Sequence, residues 1–319
     1  MKNHSTPNSF DTPALGVSII VPAYNEGDVI ADLVQATHTV MKGTGETYEI
    51  IVVDDGSSDD TAQAARQAGA RVIRHPYNIG NGAAVKTGIR QAKGKVFVSM
   101  DGDGQHDPAD IPRLLEQIGP FDMIVGMRTR QAETALHRDL ANGLYNFLAS
   151  YVSGRKIEDL TSGFRAVKTE IIRQFAYLLP NTFSYPTTLT LSVVRAGYSL
   201  GYIPIHLIRR PGKGKSKIRP WKDGLRFLLI ILKISVFYAP LKVFIPLSLI
   251  MFFLGFGYGL FRIFTWHVRY GETSALLMSS AVLVFLVGLV SEQIAQLRFD
   301  RSESANGGTT ENIDGTPLQ

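Results

Sequence analysis

Two stretches of this chain, Val243 to Phe264 and Ala275 to Val290, are almost unbrokenly apolar. Nothing else in the sequence limits its folding so sharply. At ~1.5 Å per helical residue the first crosses a ~30 Å hydrocarbon core, and the second does so once Ser291 to Leu297 extends it. The short link WHVRYGETS makes the pair a hairpin, and Trp266 and Tyr270 suit a membrane–water interface at its turn. Immediately before the hairpin, between Leu207 and Lys242, Asp223 is the only acid in a run dense in Lys and Arg. Because this basic run adjoins apolar spans, lipid headgroups and lipid phosphate fit it better than nucleic acid. From Trp221 to Tyr238, Lys222, Arg226 and Lys233 share one helical face while Leu225, Phe227, Leu228, Ile231, Leu232 and Ile234 cover the rest. That pattern predicts a helix lying in the membrane surface, closed by Pro240. The excess of Lys and Arg on the N-terminal side predicts a multi-pass protein of the cytoplasmic membrane, with its preceding domain in the cytoplasm.

That preceding domain has some 200 residues, enough for one α/β unit with a full core. The chain contains no cysteine, which excludes disulfides and thiolate metal sites. Its net charge of +5 is modest, so the information lies in where the charge sits. Short β-branched runs alternate with helical patterns: Gly16–Pro22, Tyr48–Val53, Arg71–Arg74, Lys95–Met100 and Phe121–Met127 read as strands, with helices over Glu26–Met41, Thr61–Ala68, Ala83–Ala92 and Ile111–Ile118. Such alternation predicts right-handed crossovers and a mostly parallel sheet, whose ligands bind beyond the carboxyl ends of the strands. The boundaries expected are a disordered lead-in over 1–14, the α/β domain over 15–218, the interfacial helix over 219–240, the hairpin over 241–298 and a polar, Gly-rich disordered tail over 299–319.

Polar clusters fall at three of those strand ends. Asp101-Gly102-Asp103-Gly104-Gln105 follows KVFVSM. Two carboxylates and an amide oxygen on a tight Gly-rich turn form a hard oxygen site suited to Mg²⁺ or Mn²⁺, and such a cation would neutralise charge on a departing nucleoside diphosphate. Taken alone, the same residues also make an ordinary Asp/Gly turn. Pro22-Ala23-Tyr24-Asn25-Glu26 follows the first strand, with Tyr24 offering an aromatic face and Glu26 an acceptor, although Asn25-Glu26 also reads as a helix start. Asp54-Asp55-Gly56-Ser57 follows the second strand and is likewise a plausible helix-start turn.

The ordered series VPAYNE, VVDDGSSDDT, NIGNGAAVKTGI, MDGDGQHDP and DLTSGFRAV resembles glycosyltransferase family 2, of GT-A fold, and is most similar to dolichyl-phosphate mannosyltransferase and bacterial polyprenyl-phosphate glycosyltransferases. The resemblance covers about Val17 to Lys217. It implies that Pro22, Ala23, Tyr24, Glu26, Val53 and Asp54 or Asp55 hold the nucleoside of a nucleotide-sugar donor. It implies too that Asp101, Gly102 and Asp103 meet the diphosphate and the metal, with Gln105 a further ligand. Asn81, Gly82 and Lys86 lie where the family packs a Gly-rich loop and helix near the donor; the same residues also read as a helix N-terminus and a solvated lysine. Arg128, Ser162 and Arg165 match positions that meet an acceptor phosphate, for which guanidinium forks and a hydroxyl are suited. Lys217, in Gly214-Lys215-Ser216-Lys217, matches a mobile loop over the donor phosphates, with Pro211 where the family carries an arginine.

No Q-x-x-R-W stretch follows the domain, which argues against the processive polysaccharide synthases of the broad family. No Asp general base stands out, and His106 reads as orienting rather than catalytic. A lipid phosphate is already anionic near neutral pH and needs no base. The expectation is therefore inverting transfer of a hexose from a UDP- or GDP-sugar to polyprenyl phosphate. Partners are membrane lipids and no nucleic acid, with a homo-oligomer left open. A hydroxyl acceptor, or a catalytically silent nucleotide-sugar-binding membrane partner, are the alternatives.

Overall fold

The computed structural model describes residues 16–128, 136–182, 184–205, 207–208, 236–266 and 271–306. They form two compact units. The first draws on residues up to 128 with 161–186 and 199–208, and the second on 136–160, 187–198 and 236–306.

The first unit is built on a seven-stranded sheet in the order β3-β2-β1-β4-β6-β5-β7. Its strands are β1 (Val17–Ala23), β2 (Tyr48–Asp54), β3 (Arg71–Arg74), β4 (Val96–Ser99), β5 (Met123–Arg128), β6 (Arg165–Lys168) and β7 (Leu200–Ile205). Every residue of β1 is buried, as a central parallel strand covered on both faces requires. Between the strands run α1 (Gly27–Thr44), α2 (Thr61–Gln67), α3 (Asn81–Gln91), α4 (Ile111–Glu116) and α6 (Thr169–Phe175). Helix α1 buries Ile30, Leu33, Val34, Thr37 and Met41, spaced three and four apart, against a core that includes Ile19, Val21, Val52 and Val98.

The expected strands and mostly parallel sheet are present. Two strands beyond the sequence reading complete it: β6 runs antiparallel between β4 and β5, and β7 lies parallel to β5. Parallel registry places Ala23 beside Asp54, so β1 and β2 end together. Pairing also continues past the end of β4, where the amides of Met100 and Gly102 donate to the carbonyls of Ile20 and Pro22 at 3.0 and 3.1 Å. The Asp101–Asp103 turn is thus fastened to the end of β1.

The second unit contains α5 (Leu136–Ser153), most of α7 (Tyr185–Arg195), α8 (Pro240–Trp266) and α9 (Glu272–Asn306). Residues Pro240–Thr265 and Glu272–Leu297 are long and apolar enough to cross a bilayer, with mean hydropathies of 2.0 and 2.3. Polar contacts gather at one end of this hairpin. Lys242 Nζ donates to the carbonyls of Tyr151 and Val152 at the end of α5, at 2.9 and 2.8 Å. Glu292 pairs with Arg195 at 3.5 Å and accepts from the amide of Leu241. Pro240 opens α8, where a missing N–H costs nothing. Helix α9 runs to Asn306, beyond the hairpin end expected at 298 and into the segment expected to be a disordered tail. The predicted interfacial helix lies outside the described residues apart from its last turn, as does Lys217.

Candidate active site

The loop leaving β1 is held by the loop leaving β2. Asn25 adopts φ +54°, a left-handed conformation that Asn tolerates better than most side chains. Its amide donates to Ser57 Oγ at 2.9 Å, and its Oδ1 accepts from the Ser58 amide at 2.9 Å. The next amides continue the stitch, Glu26 N to Thr61 Oγ1 at 2.9 Å and Gly27 N to Asp59 Oδ2 at 3.0 Å. Ser57, Asp59 and Thr61 of the GSSDDT run therefore hold the backbone of the Tyr24–Gly27 turn, and Ser58 holds the Asn25 side chain. Tyr24 itself stays 47% exposed.

The adjacent acids Asp54 and Asp55 do different work. Asp54 is wholly buried, pairs with Arg74 at 3.1 Å and accepts from the Ser57 amide at 2.9 Å. Asp55 accepts from the amides of Ile79 at 3.0 Å and Gly80 at 2.7 Å, and from His75 Nδ1 at 2.7 Å. Gly56, at φ +74°, lets this happen: a Cβ there would stand 2.5 Å from the Tyr77 carbonyl carbon, so the 75–80 segment lies directly on the glycine.

The turn after β4 has a comparable support. Asp103 Oδ1 accepts from the Gln105 amide at 3.0 Å, and the Asp101 amide donates to His106 Nδ1 at 3.3 Å. The His106 ring is buried and stacks on Phe164 at 5.1 Å. Beneath Asp101 lies Gly163, where a Cβ would come 2.8 Å from the carboxylate. Only glycine lets the Ser162–Phe164 backbone approach so closely. Tyr185 donates to the Gly163 carbonyl at 3.4 Å and meets Ser99 Oγ at 3.1 Å. Burial pushes its phenol up to about 12, helped by the Asp101 carboxylate, while Arg165 and Ser99 act the other way.

One cavity of about 490 Å³ collects these loops, lined by Pro22, Ala23, Tyr24, Glu26, Asp55, Asn78, Gly80, Asn81, Ala84, Asp101, Gly102 and Asp103. Three strand ends predicted separately are thereby joined. Of the paired alternatives, Asp55 faces the cavity and Asp54 does not. Val53 is buried in β2, and Lys86 sits further along α3. Neither lines the cavity. Partial burial, then Arg90, lowers the Lys86 pKa from the ordinary lysine value. Gln105 is exposed and off the lining; its carbonyl accepts from the Ile208 amide at 2.8 Å. Asn78, Gly80 and Ala84 are not among the sequence candidates, although they belong to the same NIGNG-containing stretch that drew attention to Asn81.

The acceptor-side candidates lie off this lining. Arg128 is partly exposed and donates to Thr161 Oγ1. Ser162 is 2% exposed. Arg165 was expected to offer its guanidinium to a ligand. Instead it is 0% exposed and donates to the backbone carbonyls of Ser162 and Pro186, the latter at 3.1 Å. At the start of β6 successive side chains alternate between the two faces of the sheet, and Arg165, Ala166 and Val167 are all buried, so both faces are covered there and the guanidinium finds main-chain acceptors.

Comparison with known proteins agrees with this architecture. Residues 18–175 match glycosyl transferase family 2, and residues 239–297 match the GtrB C-terminal hairpin. The undecaprenyl-phosphate 4-deoxy-4-formamido-L-arabinose transferase of Pseudomonas fluorescens is 33% identical over 60% of this chain and 62% of its own length. The dodecaprenyl-phosphate galacturonate synthase of Rhizobium johnstonii is 31% identical over 50% of each chain. The chain thus spans about half to three fifths of the length of these relatives. Among solved structures, glucosyl-3-phosphoglycerate synthase from Mycobacterium tuberculosis, in complex with Mn²⁺, UDP and phosphoglyceric acid, superposes with a TM-score of 0.53 at 18% identity. That match covers 69% of this chain and 77% of the synthase, and the likeness is one of fold. The chain belongs to glycosyl transferase family 2, a mostly parallel GT-A-like sheet domain joined to a membrane-anchoring GtrB-type hairpin.

Proposed function

We propose that this protein moves a hexose from a nucleotide-sugar to a polyprenyl phosphate, with inversion at the sugar carbon. The observation that carries the reading is the single cavity holding both Tyr24, Glu26 and Asp55 and the Asp101–Asp103 pair. The first group suits a nucleoside, through an open aromatic face and carboxylate acceptors. The second suits the diphosphate end. The names of the relatives, all transferases or synthases acting with polyprenyl phosphates, supply the acceptor class.

The donor set fits a divalent cation. Asp101 and Asp103 are partly exposed carboxylates on one turn inside the cavity, a hard oxygen pair matched to Mg²⁺ or Mn²⁺. Among the described residues no trio of His, Asp or Glu gathers at a metal-holding distance, so diphosphate oxygens would complete the shell. Such an ion would supply charge neutralisation for the departing diphosphate. The residues of the chain position the two substrates. An oxygen of the lipid phosphate attacks C1 of the sugar, the C1–O bond to the nucleoside diphosphate breaks, and the electron pair leaves with that oxygen. The nucleophile arrives ionised, so orientation and charge clamps suffice without a general base. Arg128, partly exposed and hydrogen-bonded to Thr161 Oγ1, is the arginine this reading assigns to the acceptor phosphate. Arg165 acts from behind it, on the Ser162–Gly163 backbone.

The test is to incubate the membrane-embedded protein with polyprenyl phosphate and a panel of radiolabelled UDP- and GDP-sugars. The reading requires label in an organic-soluble product that mild acid releases. An acid-stable glycoside would favour a hydroxyl acceptor, and no transfer from any donor would favour a silent binding partner. The same reading places both chain ends in the cytoplasm and the α8–α9 link outside. A reporter after Gln319 should then behave as cytoplasmic, and a tag near Gly271 should label from the exterior; the reverse pattern would overturn the orientation.

A further inference from the structure

His75 is buried, contributes nothing to the cavity lining and has no part in the transfer just described. Both of its ring nitrogens are nevertheless committed. Nδ1 lies 2.7 Å from Asp55 Oδ1, and Nε2 lies 2.9 Å from Thr87 Oγ1 on α3. An ionised carboxylate only accepts, so Nδ1 carries the proton, and the Thr87 hydroxyl can then donate to Nε2. The same Asp55 carboxylate receives the amides of Ile79 and Gly80. The His75 amide donates in turn to the Asp54 carbonyl at 2.8 Å. His75 therefore bridges the end of β2, the 76–80 loop and α3, the three pieces whose edges form the Asp55–Asn78–Gly80–Ala84 wall of the cavity.

We propose that His75 is a positioning residue for the donor site, acting through Asp55 on the Asn78–Gly80 loop. The inference rests on reading the cavity as the donor site. Without the Nδ1–H donor, Oδ1 keeps one partner instead of two. The carboxylate keeps its two loop amides but loses its tie through His75 to Thr87 on α3, so the loop is no longer fixed against that helix and the wall loses its shape. Donor affinity should suffer while acceptor use does not.

The experiment compares wild type, His75→Leu, His75→Gln and His75→Asn in the full-length protein. UDP and GDP binding with Mn²⁺ is read by calorimetry, and steady-state kinetics are run against each substrate. His75→Leu should raise nucleotide Kd and donor KM about tenfold, with acceptor KM and kcat within about twofold. His75→Asn places an amide N–H where Nδ1 was, and should return donor KM to within about threefold of wild type. His75→Gln carries its amide at the Nε2 position, so it should behave like the Leu variant, and replaces it if that variant fails to fold. An unchanged donor KM in both Leu and Gln variants would overturn the proposal. So would donor and acceptor KM rising together, or Asn failing to rescue. Wild-type protein that binds neither nucleotide would overturn the donor reading and this inference with it; wild-type binding beside unshifted variants would overturn this inference alone.

Discussion

The proposed donor side and the proposed acceptor side of the sheet domain use polar residues in opposite ways. On the proposed donor side, polar groups restrain the backbone so that a few side chains can face the cavity: buried Ser57 and Thr61, with exposed Ser58, hold the turn from which Tyr24 projects. On the acceptor side the most prominent charged residue of the motif is itself restrained. Arg165 is fully buried and gives its hydrogen bonds to two main-chain carbonyls, one of them beside the Gly163 that supports Asp101. The difference teaches that a motif arginine can serve a site by shaping the chain beneath it. Charge alone does not mark the group that touches the ligand.

The largest effect expected from this contrast lies at Asp103. Asp103→Ala removes a partly exposed carboxylate from the cavity and no core volume, so transfer should fall by at least roughly a hundredfold at an unchanged melting temperature. Chelator should silence the wild type, and Mg²⁺ or Mn²⁺ should restore it. Full activity in chelator would break the metal reading of the donor side.

A smaller, divided effect is expected at the two arginines. Arg165→Ala leaves the Ser162 and Pro186 carbonyls without their donor in a buried place. That should cost about 2–6 kcal/mol of stability, at ~1–3 kcal/mol for each of the two unmade bonds, and the melting temperature should drop by roughly 4–24 °C. Arg128→Ala should leave melting unchanged. It should raise acceptor KM roughly tenfold, the loss of one charge-assisted hydrogen bond. Thermal melts beside kinetics against polyprenyl phosphate separate the two. If Arg165→Ala melts like wild type and impairs only acceptor use, the guanidinium meets the ligand after all and the comparison fails.

The smallest effect concerns the donor-side stitch. Burial pushes the Asp59 carboxyl up, but hydrogen bonds from the Thr61 hydroxyl and the Gly27 and Thr61 amides outweigh it and hold the group below its ordinary value. A lowered folded pKa stabilises the protein above the unfolded value and loses that stabilisation as pH falls through the folded one. Asp59→Asn should therefore melt slightly lower near neutrality, and the gap should close below about pH 4. Because Asp59 is exposed, the gap should be small. A gap that widens with acid would show the stitch to be unimportant.

Much of this protein could be read before any tertiary contact was known. A buried parallel strand must be apolar along its whole length, so GVSIIVP and YEIIVV announced the centre of the sheet. Strand-end polar clusters in an α/β pattern converge for topological reasons, so Tyr24, Glu26, Asp55, Asp101 and Asp103 were identifiable as neighbours. The two apolar runs exceeded what a soluble core needs, and α8 and α9 follow them. The antiparallel β6 was less legible, because a four-residue strand such as RAVK carries too little period to distinguish it from a turn. Sequence could not choose between Asp54, the last residue of β2, and Asp55, the first beyond it, since only the folded loops decide which of two neighbouring side chains meets the cavity. Nor could it tell a buried arginine from an exposed one, or find the link from His75 to Asp55 across twenty positions. Those are properties of which chain segments meet. Local pattern sets the periodicity of each segment, whereas burial and partnership arise only when segments distant in sequence exclude water from one another.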